Sequence, residues 1–153
     1  MVSRKKRPLE SKSRGLQEVN PMKNIIKVIS ALPGLLTITP ASSIQITDAE
    51  IQLRVRFSDE YKEYLRKFGA IIADGIELSG ITNAEYRNVV SLTQKEWKLN
   101  PQVPHTMYII EDTHMDGIMI WQDTQGYIYH STPASAPIKI ANSLSEYVSN
   151  RLV

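Results

Sequence analysis

His105, His114 and His130 are the residues of this chain with the most versatile chemistry, because an imidazole exchanges protons near neutral pH and binds metals. Only His114 has acidic company, with Glu111, Asp112 and Asp116 around it in EDTHMDG. Two readings of that cluster stand side by side. In one it ligates a divalent cation, or supplies a base oriented by a carboxylate, as the centre of a small metal-dependent hydrolase. In the other it is a solvated turn between strands. The spacing matches no ligand motif and lacks the mutual geometry that catalysis needs, so no catalytic residue, metal or cofactor is expected. A second group is aromatic: Trp121, Tyr127 and Tyr129 lie in or beside a hairpin that also carries Asp123. Such rings stack on nucleobases or anchor protein interfaces. No basic residues are interleaved with them, which favours core packing or protein contact over nucleic acid.

Other reaction centres are missing from the sequence. There is no cysteine, which removes disulfides, thiolate metal sites and a thiol nucleophile. There is no G-x-S-x-G elbow, P-loop, G-x-G-x-x-G or H-E-x-x-H. In DGIELSG the glycines stand five apart with no following Lys-Ser/Thr, so Gly75 and Gly80 are expected to shape turns rather than to cradle phosphate.

These groups need elements to hold them. Ile25, Ile26, Ile29 and Leu32, with Met22 before them, have helical spacing and stop at Pro33-Gly34. Thr47 to Glu50 has the spacing of a capping box with Ile46 and Ile51 as its staple, which predicts a helix start there, and Ala49, Leu53 and Phe57 face the core. Ser58 caps the next helix, with Asp59 and Glu60 in its first turn, Tyr61, Tyr64, Leu65 and Phe68 on one face, and Gly69 at its end. Ile71, Ile72 and Ile76 to Leu78 read as short strands, NAEYRN as a loop, Val89 and Val90 as a brief sheet pairing, and SLTQKEWKLN as one or two helical turns. MYII, GIMIWQ, YIYH and PIKI then form a meander with turns at Asp116-Gly117 and DTQG. Alternation puts Ile118, Ile120 and Gln122 on one side and Met119 and Trp121 on the other. A helix closes the chain, with Ser143 and Glu146 at capping-box spacing and Leu144, Tyr147, Val148 and Leu152 as its apolar face. This order predicts an α+β fold with N-terminal helices, a mainly antiparallel central sheet of about five or six strands, and a C-terminal helix.

The 153 residues suit one domain with its own core. Charge is divided unevenly. Residues 1–23 hold seven of the 18 basic and two of the 16 acidic residues, a net of +5, and the remaining 11 basic and 14 acidic residues give −3. The basic stretch, residues 1–21, is expected to be a flexible extension, and it reads as a solvated tail, a phosphate-binding arm, or a segment upstream of a natural start at Met22. No apolar run is long enough for a membrane span, and no apolar signal region follows the basic start, so a cytoplasmic protein is expected.

Taken in order, ITDAE (46–50), FSDEYKEYLRKFGA (57–70), GIELSGI (75–81), NVVSLT (88–93), MYIIED with DGIMIWQDTQGYIY, and the closing IANSLSEYVSNRL resemble the SUKH superfamily. The resemblance covers roughly residues 44 to 152 and makes 22–153 a single SUKH-like domain. Ser58 stands where the family often has a proline, and the basic extension lies outside the match. The resemblance implies a non-enzymatic immunity protein that binds a cognate polymorphic toxin domain encoded nearby, of nuclease or deaminase type, and blocks its active site. The family's fungal cell-wall regulators imply an alternative, a scaffold or regulatory protein-binding domain. On the toxin reading, Glu111, Asp112, Asp116 and Asp123 would steer a basic partner, with Trp121, Tyr127 and Tyr129 as anchors.

Overall fold

A computed structural model describes residues 24–151. The basic extension, Met22 and Leu152 lie outside the described residues. Helix α1 (Ile25–Ser30) is capped by Asn24, whose side chain accepts from the Ile26 amide, and strand β1 (Leu36–Thr37) follows the Pro33-Gly34 stop. Helix α2 (Ser43–Leu53) begins earlier than the sequence predicts. The capping box is formed by Ser42 and Gln45, not by Thr47 and Glu50. Ser42 Oγ accepts from the Gln45 amide at 3.1 Å while Gln45 Oε1 accepts from the Ser42 amide at 2.9 Å. A Ser-x-x-Gln box satisfies the same orphan amides as Thr-x-x-Glu, and here it lies upstream, leaving Thr47 in mid-helix. Glu50 instead accepts from the Phe57 amide at 2.8 Å and ties down the turn into the next helix. Ala49, Leu53 and Phe57 are buried as expected, and Ile46 is buried with them, whereas Ile51, its predicted staple partner, points to solvent.

Helix α3 (Asp59–Phe68) forms as predicted, because cap, dipole and apolar stripe all agree. Ser58 Oγ accepts from the Tyr61 amide at 3.0 Å, acids occupy the first turn and bases the last, and Tyr61, Tyr64, Leu65 and Phe68 are buried. Gly69 closes it at φ 76°. Strands β2 (Ile71–Ala73) and β3 (Ile76–Leu78) pair antiparallel and, with β1 on the far edge of β2, make a three-stranded sheet. Val89 and Val90 do not pair with a sheet. They open helix α4 (Val89–Leu99), which Asn88 caps by accepting from the amides of Val90 and Ser91, after a 3-10 turn at Glu85–Arg87. The Asn cap outweighs the β-propensity of two valines, whose side chains are buried equally well on a helix.

Strands β4 (Met107–Asp112), β5 (Met119–Asp123), β6 (Ile128–Ser131) and β7 (Ile138–Ala141) form the second sheet in that order, all antiparallel, and helix α5 (Leu144–Arg151) closes the described chain. Two antiparallel sheets and five helices make this an α+β fold, with seven strands among the described residues rather than one central sheet. The sheets meet where the Ser79 amide, just beyond β3, donates to the Ile110 carbonyl at 2.8 Å and Ser79 Oγ donates to the Ile109 carbonyl at 2.7 Å.

The second sheet is covered on both faces. Ile120 and Ile128 join the main core with Tyr61, Tyr108 and Leu144, while Met119 and Trp121 pack with Leu92, Val103, Met107 and Ile109 on the α4 side. That double coverage explains why β4 and β5 read as almost unbroken apolar runs. Gln122, fully buried, is satisfied within this layer. Its Oε1 accepts from Ser58 Oγ at 3.1 Å and Tyr108 OH at 2.8 Å, and its Nε2 donates to the Gly126 carbonyl at 3.0 Å and Glu60 Oε1 at 3.3 Å. The network fixes the start of α3 to the β5–β6 turn.

Candidate partner-binding surfaces

The seven residues singled out by sequence do not form one site. Two are interior. Strand β5 then separates the rest, with Asp112 and Asp116 at its start, Asp123 and Tyr127 at its end, and Tyr129 opposite Trp121 on β6 with its hydroxyl reaching Asp123. Five extended residues set those ends roughly 14 Å apart.

Glu111 is 3% exposed. The β4–β5 register slips between Ile109 and Glu111, so that Glu111 stands opposite Ile120 and turns toward α5 rather than α4. There it accepts from Tyr147 OH at 2.5 Å, Arg151 Nη1 at 2.8 Å and the Glu77 amide at 3.0 Å. Arg151 also donates to the Gly75 carbonyl, so this carboxylate clamps α5 to both sheets. Burial, then the Glu111 charge, push the Tyr147 phenol well above its usual pKa, so it stays a donor. Trp121 is 0% exposed, and its Nε1 donates to Ser131 Oγ at 2.9 Å. Both side chains are buried and bonded within the fold rather than exposed.

At the first end, Asp112 Oδ1 accepts from the His114 amide at 2.8 Å, and Thr113 Oγ1 donates to the Ile118 carbonyl at 2.8 Å. His114 and Asp116 hold positive φ, 58° and 53°, beside Gly117 at 71°. The His114 ring lies between two carboxylates, Nδ1 at 3.6 Å from Asp112 and Nε2 at 3.5 Å from Glu77. No three His, Asp or Glu side chains among the described residues are grouped to hold a metal ion. His105 stacks on Trp97 at 4.1 Å and His130 sits in β6 opposite Ile120, so the three imidazoles share no centre.

Sequence reasoning missed the neighbours of this turn. Glu77 from β3 pairs with Arg87 at 3.5 Å, and Tyr86, Arg87, Asp112 and His114 line one small cavity. Glu96 of α4 has its pKa raised, chiefly by burial, with Lys95 opposing and the nearby Asp112 charge adding. Tyr86 and Met115 are 63% and 62% exposed. The available signal was a bulky apolar residue inside each polar stretch, NAEYRN and THMDG.

At the second end, Asp123 organises its turn. Oδ1 accepts from the amides of Gln125 and Tyr127, each at 3.0 Å, and Oδ2 accepts from Tyr129 OH at 2.9 Å. Lys139 Nζ lies 4.0 Å from the centre of the exposed Tyr127 ring. The carboxylate and both rings are thus brought together, and each already has an internal partner.

A SUKH family model, described as SMI1-KNR4 cell-wall, matches residues 22–153. The chain belongs to the SUKH superfamily. No curated protein matches it. In this SUKH domain the motifs that carry the resemblance are the frame. FSDEYKEYLRKFGA supplies the Ser58 cap, α3 and Gly69, GIELSGI supplies β3 and Gly80, and NVVSLT supplies the Asn88 cap of α4. A Cβ on Gly80 would lie 1.7 Å from the Gly69 carbonyl oxygen, so the two glycines of those motifs meet in space. The exposed residues Tyr86, Met115 and Asp116 lie between the frame elements. No described helix is long and apolar enough to cross a membrane.

Proposed function

We propose that this SUKH protein is a non-enzymatic immunity protein that binds a cognate polymorphic toxin domain, a nuclease or nucleic-acid deaminase encoded nearby, and occludes its active site. Family membership supports a protein-binding role. The structural observation that carries the reading is that Asp112 braces the β4–β5 turn by accepting from the His114 amide, giving a fixed acidic group at the edge of a doubly covered sheet. A rigid surface loses little entropy on association, and fixed carboxylates speed encounter with a basic substrate groove and oppose wrong partners. The test is co-expression with the toxin domain encoded immediately upstream. Growth protection and a complex that survives gel filtration are expected. Neither protection nor binding would defeat the reading.

The cell-wall description of the matching family model favours a second reading, a regulatory domain that binds a housekeeping protein. A gene distant from any toxin, with stoichiometric capture of one cellular protein and no effect on toxins, is the outcome that selects it.

A further inference from the structure

Helix α2 is apolar on two opposite sides. Ile46, Ala49 and Leu53 face the core, while Ile44 and Ile51, 79% and 65% exposed and seven residues apart, share the outer side. Beside them a groove of about 320 Å³ runs between α2 and the segment 81–91, with Asp48, Gln45 and Gln52 on one wall and Glu85, Thr82 and Asn83 on the other. Tyr86 follows Glu85 and lines the small cavity with Asp112 and His114, which joins this segment to the start of the β4–β5 turn. Four exposed large apolar side chains stand on these elements: Ile44 and Ile51 on α2, Tyr86 on the segment across the groove, and Met115 in the β4–β5 turn. Charge here is one-sided. Asp48, Glu85 and Asp116 take part in no ion pair among the described residues, Asp112 pairs only with His114, and Arg87, the cation within, is committed to Glu77.

From this we infer that the face built by α2, the segment 81–87 and the β4–β5 turn is the docking surface for a cationic protein partner. A lysine or arginine of the partner enters the groove between Asp48 and Glu85, and apolar parts of the partner cover Ile51, Tyr86 and Met115. A central apolar anchor within a charged rim is how binding energy and selectivity are usually divided. Charge complementarity fixes the occupant. A second copy related by a twofold would set this acidic face against itself, and nucleic acid would meet the same repulsion. At the far end of β5, Tyr127 and Tyr129 already have Lys139 and Asp123 as partners, whereas Ile51 and Met115 stand open.

The inference rests on the toxin-binding reading and names the surface that reading uses. The test measures the dissociation constant of the full chain and the upstream-encoded toxin domain at low and high salt. The expected results are about 100-fold weaker binding for Asp48→Lys combined with Glu85→Lys, about tenfold weaker for Tyr86→Ala, and affinity that falls with salt. Gln125→Lys, at the other end of β5, serves as the control and is expected to stay within about twofold. All four positions are exposed, and circular dichroism of each variant is the check that it folds. Wild-type binding that survives the double charge reversal, or does not respond to salt, overturns the docking surface and leaves the toxin reading intact. Absence of wild-type binding overturns both.

Discussion

Glu60 Oε1 accepts a hydrogen bond from the backbone amide of Leu144 at 2.7 Å, so a residue in the first turn of α3 caps the first turn of α5. Its Oε2 accepts from the Ser145 amide at 2.9 Å and from Ser145 Oγ at 2.7 Å. One carboxylate thus satisfies orphan amides that α5 cannot pair internally. We expect Glu60→Ala to cost about 2 kcal/mol in urea unfolding, and Glu60→Gln less, because an amide oxygen still accepts. A loss below about 0.5 kcal/mol for the alanine variant would show that the cap does not matter to stability.

The Glu111 clamp should behave as a coupled unit. Arg151→Ala leaves a buried carboxylate without its cation, and Tyr147→Phe removes its shortest hydrogen bond. Each is expected to cost about 1–3 kcal/mol, with the double variant losing less than the sum because both act on the same carboxylate. A double-mutant cycle by thermal unfolding reads the coupling, and strict additivity would argue against a shared network.

Tyr61, Tyr64 and Tyr108 are buried together, and burial is the first cause raising each phenol well above its ordinary pKa. In the unfolded chain the same groups ionise near pH 10. Above that pH the unfolded state binds fewer protons than the folded one, so stability is fully present below about pH 10 and is lost as pH climbs toward the raised values. The part of the tyrosinate absorbance that belongs to these three should therefore rise in step with loss of structure in an alkaline titration. Ionisation of these three ahead of unfolding would contradict their burial.

Gly80 and Gly75 bound the same short strand for different reasons. At Gly80 a Cβ would collide with the Gly69 carbonyl, backbone against backbone, and we expect Gly80→Ala to cost about 3 kcal/mol. At Gly75 the added carbon meets nothing within 4 Å, and only its φ of 76° is strained, so about 1 kcal/mol is expected. Melting temperatures of the two variants give the comparison, and equal losses would refute the distinction.

The parts of the fold that were legible in the sequence are those fixed by neighbours in the chain. The Ser58 cap, the α3 stripe and the alternation of Met119 to Gln122 depend on spacings of three, four and two residues, which local geometry sets. Misreadings arose where two local signals competed. Ser42-Gln45 and Thr47-Glu50 both have capping-box spacing, and only the first starts a helix; Val89 and Val90 suit a strand until Asn88 caps them into α4.

The candidate site was less legible, because exposure is a property of what packs across the chain. EDTHMDG and its neighbours in sequence alternate between interior and solvent: Glu111 turns inward through a one-residue register slip that only the pairing of β4 with β5 reveals, while Met115 is left out. By itself the sequence determined the family, the fold class and the chain's division of charge, since these follow from ordered turns, caps and composition. Only the tertiary structure decided which carboxylates brace the fold and which stay in solvent. Residues as far apart as Glu60 and Leu144, or Glu111 and Arg151, become hydrogen-bond partners only once the chain is closed on itself, and no local spacing announces those pairings.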